Sequence, residues 1–327
     1  MSDKLFRVAI LDDFEKLADT VPAFEKLKAR ANITILRERL DSPEKIERAL
    51  GAMDALLLMR ERTYFSNNEY RLLPSLKLIS QTGRTSRHLD LPAATERGIA
   101  VAGTPADNGT STKELTIGLI LALMRRIPQV NRRMREESWP AIAGSLLEGK
   151  TCGVLGFGRI GQEVARILKA FNTRVLSYSR TLTTEKTAPI GAESVPMETL
   201  LRESDIVTIH VPLNTNTRGM MGDNEFAMMK PGALLVNTAR GPIVSEAAMI
   251  RALETGRLGG VGLDVFDSEP LPMDHPLRRF DNAILLSHRG YATVEILRER
   301  YEEALTNILN FIEGKPIKLL NPEVLER

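Results

Sequence analysis

The chain has one cysteine, no excess of either charge and no long apolar run, and each lack removes a class of protein. The lone Cys152 cannot close a disulfide within the chain, and in its apolar surroundings it reads as core filling. One thiol suits a reducing compartment, so a cytoplasmic location is expected. Lys and Arg number 44 against 42 Asp and Glu, a formal charge of +2, which leaves no footprint for nucleic acid or an anionic membrane. The longest apolar run, Leu115–Met124, is interrupted by Thr116 and Gly118 and is too short to span a bilayer. The first residues run directly into a strand pattern and lack the apolar segment of a signal peptide. No internal repeat or low-complexity tract stands out. What remains is an ordinary globular composition, 43% apolar and 26% charged, whose 327 residues suggest two domains.

Residues 1–101 alternate between two patterns. Apolar runs at Arg7–Leu11, Ile33–Leu36, Ala55–Met59, Leu76–Ser80 and Ile99–Ala102 predict strands, with helices predicted over Phe14–Ala29 and Pro43–Leu50. Such alternation implies a parallel sheet covered on both faces. The turn chemistry of residues 103–109 marks a boundary. Ser111 or Thr112 can cap a helix to about Arg126, and Pro128 breaks the pattern ahead of a basic, polar arm ending at Trp139 and Pro140.

The best-defined stretch runs from Thr151 to Gly161. A short apolar run ends in Gly156, Gly158 and Gly161, and an amphipathic pattern of Val164, Ile167, Leu168 and Phe171 follows. That is the strand, glycine turn and helix of a dinucleotide site. Gly156 permits the tight turn, Gly158 lets backbone approach a pyrophosphate, and Gly161 lets the helix pack on its strand. The helix start, with Arg159 and Ile160, presents free N–H groups to phosphate. A second strand, Thr173–Tyr178, begins one helix length later.

Further strands are predicted at Asp205–Ile209, Ala233–Asn237, Gly260–Val265 and Ala283–Leu286, before a last helix, Val294–Glu313, that stops at Gly314. In open α/β sheets ligands bind at the carboxyl ends of strands. There the chain becomes polar: His210 to Leu213, Asn237 to Gly241, Asp264 to Pro270 and Ser287 to Gly290. These segments hold Arg240, Asp264, Asp267, Glu269 and His288. His88 and His275 read as loop residues, and Asp267 as a solvated turn residue.

With these motifs on the page, the chain resembles the D-isomer-specific 2-hydroxyacid dehydrogenases, near their glyoxylate/hydroxypyruvate reductase and phosphoglycerate dehydrogenase members. The resemblance rests on Gly103 to Asn108 followed by Glu114, the three glycines, His210 to Leu213 with Thr217, Met229 to Gly232, Asn237 to Gly241, Asp264 to Pro270, and His288. It implies an α/β chain of two doubly wound parallel-sheet domains with a cleft between. Residues 1–102 and 292–327 would form a flavodoxin-like substrate domain, and 103–291 the Rossmann coenzyme domain.

The implied reaction passes a hydride between NAD(P) and a small 2-oxo or D-2-hydroxy acid. Arg240 would hold the carboxylate and polarise the carbonyl through its planar fork. His288 would act as acid and base, and Glu269 would orient it and stabilise its imidazolium. The cofactor residues would be Gly156, Gly158, Arg159, Ile160, Gly161, Ser179, Arg180, His210, Val211, Pro212, Thr217, Thr238, Ala239, Arg240, Asp264 and His288. Asp264 would face the nicotinamide carboxamide and His210 the adenine half. Substrate residues would be Gly83, Arg84, Arg60 and Asn108, and no metal is expected. A homodimer is implied, with an apolar helix face of Leu115, Leu119, Ala122 and Leu123 and the arm from Gln129 to Trp139 clasping a partner.

Two departures from the family pattern matter. The first-domain loop, usually G-x-G-x-D-x-x-D, here runs Gly83 to Asp90 with Thr85 and Arg87 substituted. Arg84, Arg87, Arg60 and Arg62 could favour a substrate with a second anionic group, or could be solvated or pair with Glu61. The other departure is Ser179, where NAD-preferring members commonly carry aspartate. With Arg180, Thr181, Thr183, Thr184 and Lys186 beyond it, this loop suggests NADP preferred over NAD. Competing readings are an NAD(H)-binding regulatory protein of the same fold, formate dehydrogenase, against which Glu269 argues, and a phosphoglycerate dehydrogenase without a regulatory domain.

Overall fold

A computed structural model describes residues 5–83, 86–105, 109–136, 139–180 and 182–326. The chain divides into two compact units, Met1–Asp107 with Ala292–Arg327, and Asn108–Tyr291.

The first unit begins with strands β1 (Phe6–Ile10), β2 (Ala31–Ile35), β3 (Ala55–Leu58), β4 (Leu78–Gln81) and β5 (Ala100–Gly103), between which lie helices α1 (Pro22–Lys28), α2 (Pro43–Leu50), α3 (Asn67–Arg71) and α4 (Leu91–Glu96). The strands pair in parallel in the order β2-β1-β3-β4-β5, the flavodoxin-like order. Every residue of β3 and β4 is buried, which is why these strands read as continuous apolar runs rather than alternating ones. The predicted helix over Phe14–Ala29 is a correction: only Pro22–Lys28 is α-helical. The buried Asp13 carboxylate accepts from Leu17 and Ala18 N–H, at 2.9 and 3.2 Å, and so holds the preceding residues in a turn. Pro22 then opens the helix, where its missing N–H costs nothing.

The second unit starts with α5 (Thr110–Met124) and α6 (Ile127–Glu136). Its strands are β6 (Thr151–Leu155), β7 (Arg174–Tyr178), β8 (Glu193–Ser194), β9 (Ile206–Ile209), β10 (Ala233–Asn237), β11 (Leu258–Leu263) and β12 (Ala283–Leu285). Helices α7 (Arg159–Ala170), α8 (Thr184–Thr187), α9 (Met197–Glu203), α10 (Asp223–Met228) and α11 (Glu246–Glu254) connect them. All pairings are parallel and the order is β12-β11-β10-β9-β6-β7-β8. Chain direction across the sheet reverses at β6, between β7 and β9, and a doubly wound sheet opens its ligand crevice at such a switch point. The expected α/β architecture of two doubly wound parallel sheets is therefore present.

Two local expectations change. Gly109 is the residue preceding α5, with no side-chain cap, so neither Ser111 nor Thr112 serves there. Thr112 instead donates to the Gly290 carbonyl, 3.0 Å away. Leu119 and Leu123, expected on a partner-facing surface, are buried inside the unit. They lie against Gly260 and Gly262 of β11, where a side chain on either glycine would press into them. Pro128 does not end helical structure; it sits in the first turn of α6.

Helix α12 (Val294–Ile312) belongs to the first unit. Thr293 caps it by accepting from Ile296 N–H, and Gly314 follows its end at φ 67°. Its Ala304 carbonyl takes the Ser80 hydroxyl at 2.8 Å and its Glu302 takes Ala23 N–H at 2.7 Å, fixing the helix to β4 and α1. No helix among the described residues is long and apolar enough to cross a membrane.

Candidate active site

In the second unit the polar segments fall at the carboxyl ends of β6, β9, β10, β11 and β12. Gly156 leaves β6 at φ 100° and donates its N–H to the Tyr178 carbonyl at 2.8 Å. A Cβ there would lie 2.6 Å from the His210 carbonyl carbon, so the turn needs glycine both for its conformation and for its closeness to the β9 end. A Cβ on Gly161 would collide with the Gly156 carbonyl, which explains the third glycine as helix-to-turn packing. Around Gly158 the outcome is opposite: nothing lies within 4 Å of where its Cβ would be. The start of α7 thus faces open space, with Arg159 exposed and Ile160 packed against Gly109.

After β9, His210 hydrogen-bonds the Thr208 hydroxyl at 3.0 Å, and burial pushes its pKa down to about 4, leaving the ring neutral. Val211 N lies 2.7 Å from the Gly156 Cβ position, beside the turn. Thr217 donates to the Pro212 carbonyl at 2.6 Å and accepts from Asn214 N–H, closing the loop that carries Pro212. After β7, Ser179 is half-buried and Arg180 exposed, adjoining the Tyr178 carbonyl that anchors the glycine turn. Thr181 lies outside the described residues.

Beyond β10 the buried Asn237 side chain organises the next loop. Its Oδ1 accepts from Ala239 N–H at 3.0 Å and its Nδ2 donates to the Arg240 carbonyl at 2.9 Å. The Thr238 hydroxyl meets that of Thr116 at 2.9 Å. Arg240 is therefore displayed from a loop braced at both ends. A side chain on Gly241 would strike the Phe266 backbone, so the loops after β10 and β11 are pressed together.

Asp264, only 1% exposed, directly follows β11. Its two carboxylate oxygens accept from Arg289 N–H at 2.6 Å and Gly290 N–H at 2.7 Å, and its carbonyl accepts from His288 N–H at 2.8 Å. Burial raises its pKa against the pull of those N–H groups. The three bonds hold His288 at φ 56°, a conformation that a β-carbon disfavours. So placed, His288 Nδ1 meets Glu269 Oε2 at 2.7 Å, while Glu269 Oε1 accepts from Phe266 N–H at 2.9 Å. Burial works to raise the Glu269 pKa. The His288 hydrogen bond and charge, the Phe266 N–H and the charge of Arg240 outweigh it and hold the group below the usual carboxylate range. With Nδ1 committed to Glu269, Nε2 is the nitrogen left to exchange a proton with a ligand.

The second unit thus brings together Arg240, Glu269 and His288. Asn237 and the backbone-clamping use of Asp264 were not read from the sequence; an asparagine closing a strand, able to bond backbone two residues on, was the available signal. In the first unit, Gly83 stands at φ 102° and donates its N–H to Thr104 Oγ1 at 2.8 Å, and Arg60 N–H donates to Thr82 Oγ1 at 2.8 Å. Arg62 pairs with Glu15 at 2.7 Å, and Arg87 is exposed. Arg84 and Asn108 lie outside the described residues. His88, expected as a loop residue, does lie in a turn, where it is buried at 2% exposure. No group of residues that could hold a metal occurs among the described residues.

A profile described as "D-isomer specific 2-hydroxyacid dehydrogenase, NAD binding domain" matches residues 117–290. A glyoxylate reductase of Thermofilum pendens is 37% identical over 318 residues, 93% of each chain. The chain belongs to the D-isomer specific 2-hydroxyacid dehydrogenase family. This dehydrogenase is also 37% identical to a D-3-phosphoglycerate dehydrogenase of Archaeoglobus fulgidus, over 85% of its own length and 53% of the relative's. Among solved structures, one titled putative D-3-phosphoglycerate dehydrogenase from Ralstonia solanacearum matches with a TM-score of 0.90 at 33% identity, covering 98% of both chains. The dehydrogenase is accordingly an oxidoreductase that moves a hydride between a nicotinamide cofactor and a 2-oxo or 2-hydroxy acid. Its glycine turn fits that cofactor: the open space at Gly158, bounded by the first N–H groups of α7, is the kind of cradle that a side chain would fill.

Proposed function

We propose that this dehydrogenase reduces a short 2-oxo acid of the glyoxylate and hydroxypyruvate class to its D-2-hydroxy acid, with Arg240, Glu269 and His288 as the catalytic set. The observation that carries this reading is the 2.7 Å bond between Glu269 and His288 Nδ1, on a loop that Asp264 clamps. When bound, the nicotinamide supplies the hydride that the carbonyl carbon receives. Arg240 grips the substrate carboxylate through its fork and draws electron density toward the carbonyl oxygen. His288 delivers a proton from Nε2 to that oxygen, and Glu269 keeps the ring oriented through its bond to Nδ1.

The cofactor's pyrophosphate would lie on Gly156, Gly158, Arg159, Ile160 and Gly161, its adenine half beside His210, Val211, Pro212 and Thr217, and its nicotinamide near Thr238, Ala239, Asp264 and His288. Ser179 and Arg180 would meet a ribose 2′-phosphate, so NADP is the preferred cofactor and NAD an accepted one. Gly83, Arg84, Arg60 and Asn108 would contact the substrate. A panel of glyoxylate, hydroxypyruvate, pyruvate, 2-oxoglutarate and phenylpyruvate, each assayed with NADH and NADPH, tests the assignment. Short acids are expected to be reduced and bulky phenylpyruvate to lag; failure of all five with both cofactors would end this reading.

Two further parts belong to the proposal. Burial pushes the Cys152 thiol up to about 12, so it stays inert, and a reducing cytoplasm suits it. The chain also pairs with a second copy. Helix α6 contains no buried residue, and Ile127, Met134, Trp139 and Leu146 expose apolar surface along the arm, Trp139 at 83%. Arg132, paired with Asp281 at 2.7 Å, ties the arm to its own unit. Light scattering at assay concentration should give twice the 36.3 kDa chain mass, and a monomer would remove this part of the reading.

A further inference from the structure

The second unit holds a cavity of about 400 Å³ at the end of its sheet opposite the polar segments. Among the residues that line it, Lys150 directly precedes β6, Asp205 precedes β9, and Lys230 lies in the turn before β10. The cavity therefore sits at the amino ends of these strands. Along β6, Lys150 is separated from the Gly156 turn by about 20 Å, at about 3.3 Å a residue, so a small ligand here does not reach that turn. Leu123, Met124 and Leu234 give the cavity an apolar wall, and Arg126 and Gln129 enter it from the junction of α5 and α6. A volume of this size, with an apolar wall and a few convergent polar groups, is that of a small-molecule site.

Four charged side chains line it: Arg126, Lys150, Lys230 and Asp205. Asp205 is matched within the protein, its Oδ2 accepting from Thr151 N–H at 2.8 Å and its Oδ1 from Lys230 Nζ at 3.0 Å. Burial works to raise the Asp205 pKa. Those two bonds, with the charges of Lys230 and Lys150, outweigh it and hold the group below the usual carboxylate range. The next carboxylate along, Asp281, is engaged by Arg132, which donates to both its oxygens at 2.7 and 2.8 Å. Neither Arg126 nor Lys150 forms a direct ion pair with a described residue. Three positive side chains against one carboxylate leave two positive charges at the cavity, which a dianion cancels. Gln129 adds a second requirement. Its Nε2 donates to the Asp281 carbonyl at 2.6 Å, while its Oε1, shut off from solvent, has no hydrogen-bond partner among the described residues. A buried acceptor of this kind calls for a donor, and a ligand hydroxyl supplies one.

We propose that this cavity is a second ligand site, apart from cofactor and substrate, for a small hydroxylated dianion. Arg126, Lys150 and Lys230 take the anionic oxygens, and the hydroxyl donates to Gln129 Oε1. A dicarboxylate and a phosphate monoester share this chemistry.

Calorimetric titration of the full chain tests it with L-malate and sn-glycerol 3-phosphate, each set against its counterpart without a hydroxyl, succinate and n-propyl phosphate. At least one hydroxylated dianion should bind saturably; tighter binding of malate indicates a dicarboxylate, and of glycerol 3-phosphate a phosphate. Its counterpart should bind about 3- to 10-fold more weakly, the loss of one neutral hydrogen bond. Arg126→Met and Lys150→Met, at exposed and half-buried positions, should each weaken binding about 10-fold while kcat/KM for glyoxylate stays unchanged. Arg240→Ala should leave binding intact, which separates this site from the substrate's. No saturable binding of either hydroxylated dianion, binding that neither methionine variant weakens, or binding lost in Arg240→Ala would overturn the site and leave the reductase reading intact. Binding as expected in a protein that reduces no 2-oxo acid would overturn that reading and support the site.

Discussion

His288→Ala should lower kcat by about 10²–10⁴ while cofactor affinity, read by titration of protein fluorescence, stays near that of the unaltered protein. The geometry separates the two effects: the imidazole is held by Glu269 and by the backbone clamp of Asp264, whereas the proposed pyrophosphate cradle is the glycine turn at the end of β6. Arg240→Ala should fall at least as far and raise KM as well, because it removes the carboxylate's partner and the carbonyl's polarising charge together. Glu269→Gln should act through pH. The Glu269 pKa is held down, with the charge of His288 among the causes, so the carboxylate stays ionised until the pH falls through that lowered value. Above it the Nδ1 hydrogen bond has an ionised acceptor, which Glu269→Gln replaces by a neutral and weaker one. The limb of the reduction profile that falls with rising pH should therefore move to lower pH in Glu269→Gln. A profile that does not move, or wild-type-like turnover in His288→Ala, would refute the catalytic set.

The parts of this fold legible in the sequence were those written in nearest neighbours. Parallel strands buried on both faces announce themselves as short apolar runs, so Ala233–Asn237 was placed residue for residue. The glycine turn was legible because backbone conformation and close approach demand glycine there. Arg240, Glu269 and His288 drew notice because polarity at the end of an apolar strand has few structural reasons. What could not be read depends on partners distant in the chain. Asp264 clamps backbone 25 residues away, and nothing in the composition of either segment announces that bond. His88 is buried because residues 65 and 88–90 pair, Phe65 N–H donating to the His88 carbonyl and Asp90 N–H to the Phe65 carbonyl. The helix overextended to Phe14 failed for a local reason, since Asp13 competes for the N–H groups that a helix would have used.

Replacing Ser179 by aspartate and Arg180 by alanine should reverse the proposed preference for NADPH over NADH. The two residues leave β7 directly after Tyr178, whose carbonyl anchors the Gly156 turn, so they stand beside the strand end where a dinucleotide's ribose is read. A ribose 2′-phosphate would find in Arg180 an exposed guanidinium able to take two oxygens, and in Ser179 a half-buried hydroxyl. A charge-assisted contact of this kind contributes about 1.5–3 kcal/mol, or roughly 10- to 100-fold in affinity. Aspartate at position 179 adds repulsion of the phosphate and, for NADH, an acceptor for the ribose hydroxyls. Two like charges about 4 Å apart near a protein surface disfavour each other by up to about 4 kcal/mol, less the screening an exposed loop allows. Together the changes should shift the ratio of catalytic efficiencies, NADPH over NADH, by about 10²–10³, with most of the loss in the Michaelis constant for NADPH and little in kcat. Lys186, exposed on α8, keeps some positive charge in place, so binding of NADPH should weaken without vanishing. If the unaltered protein already uses NADH with the higher efficiency, the loop does not select for the phosphate, although the proposed catalytic set after β10, β11 and β12 would be untouched.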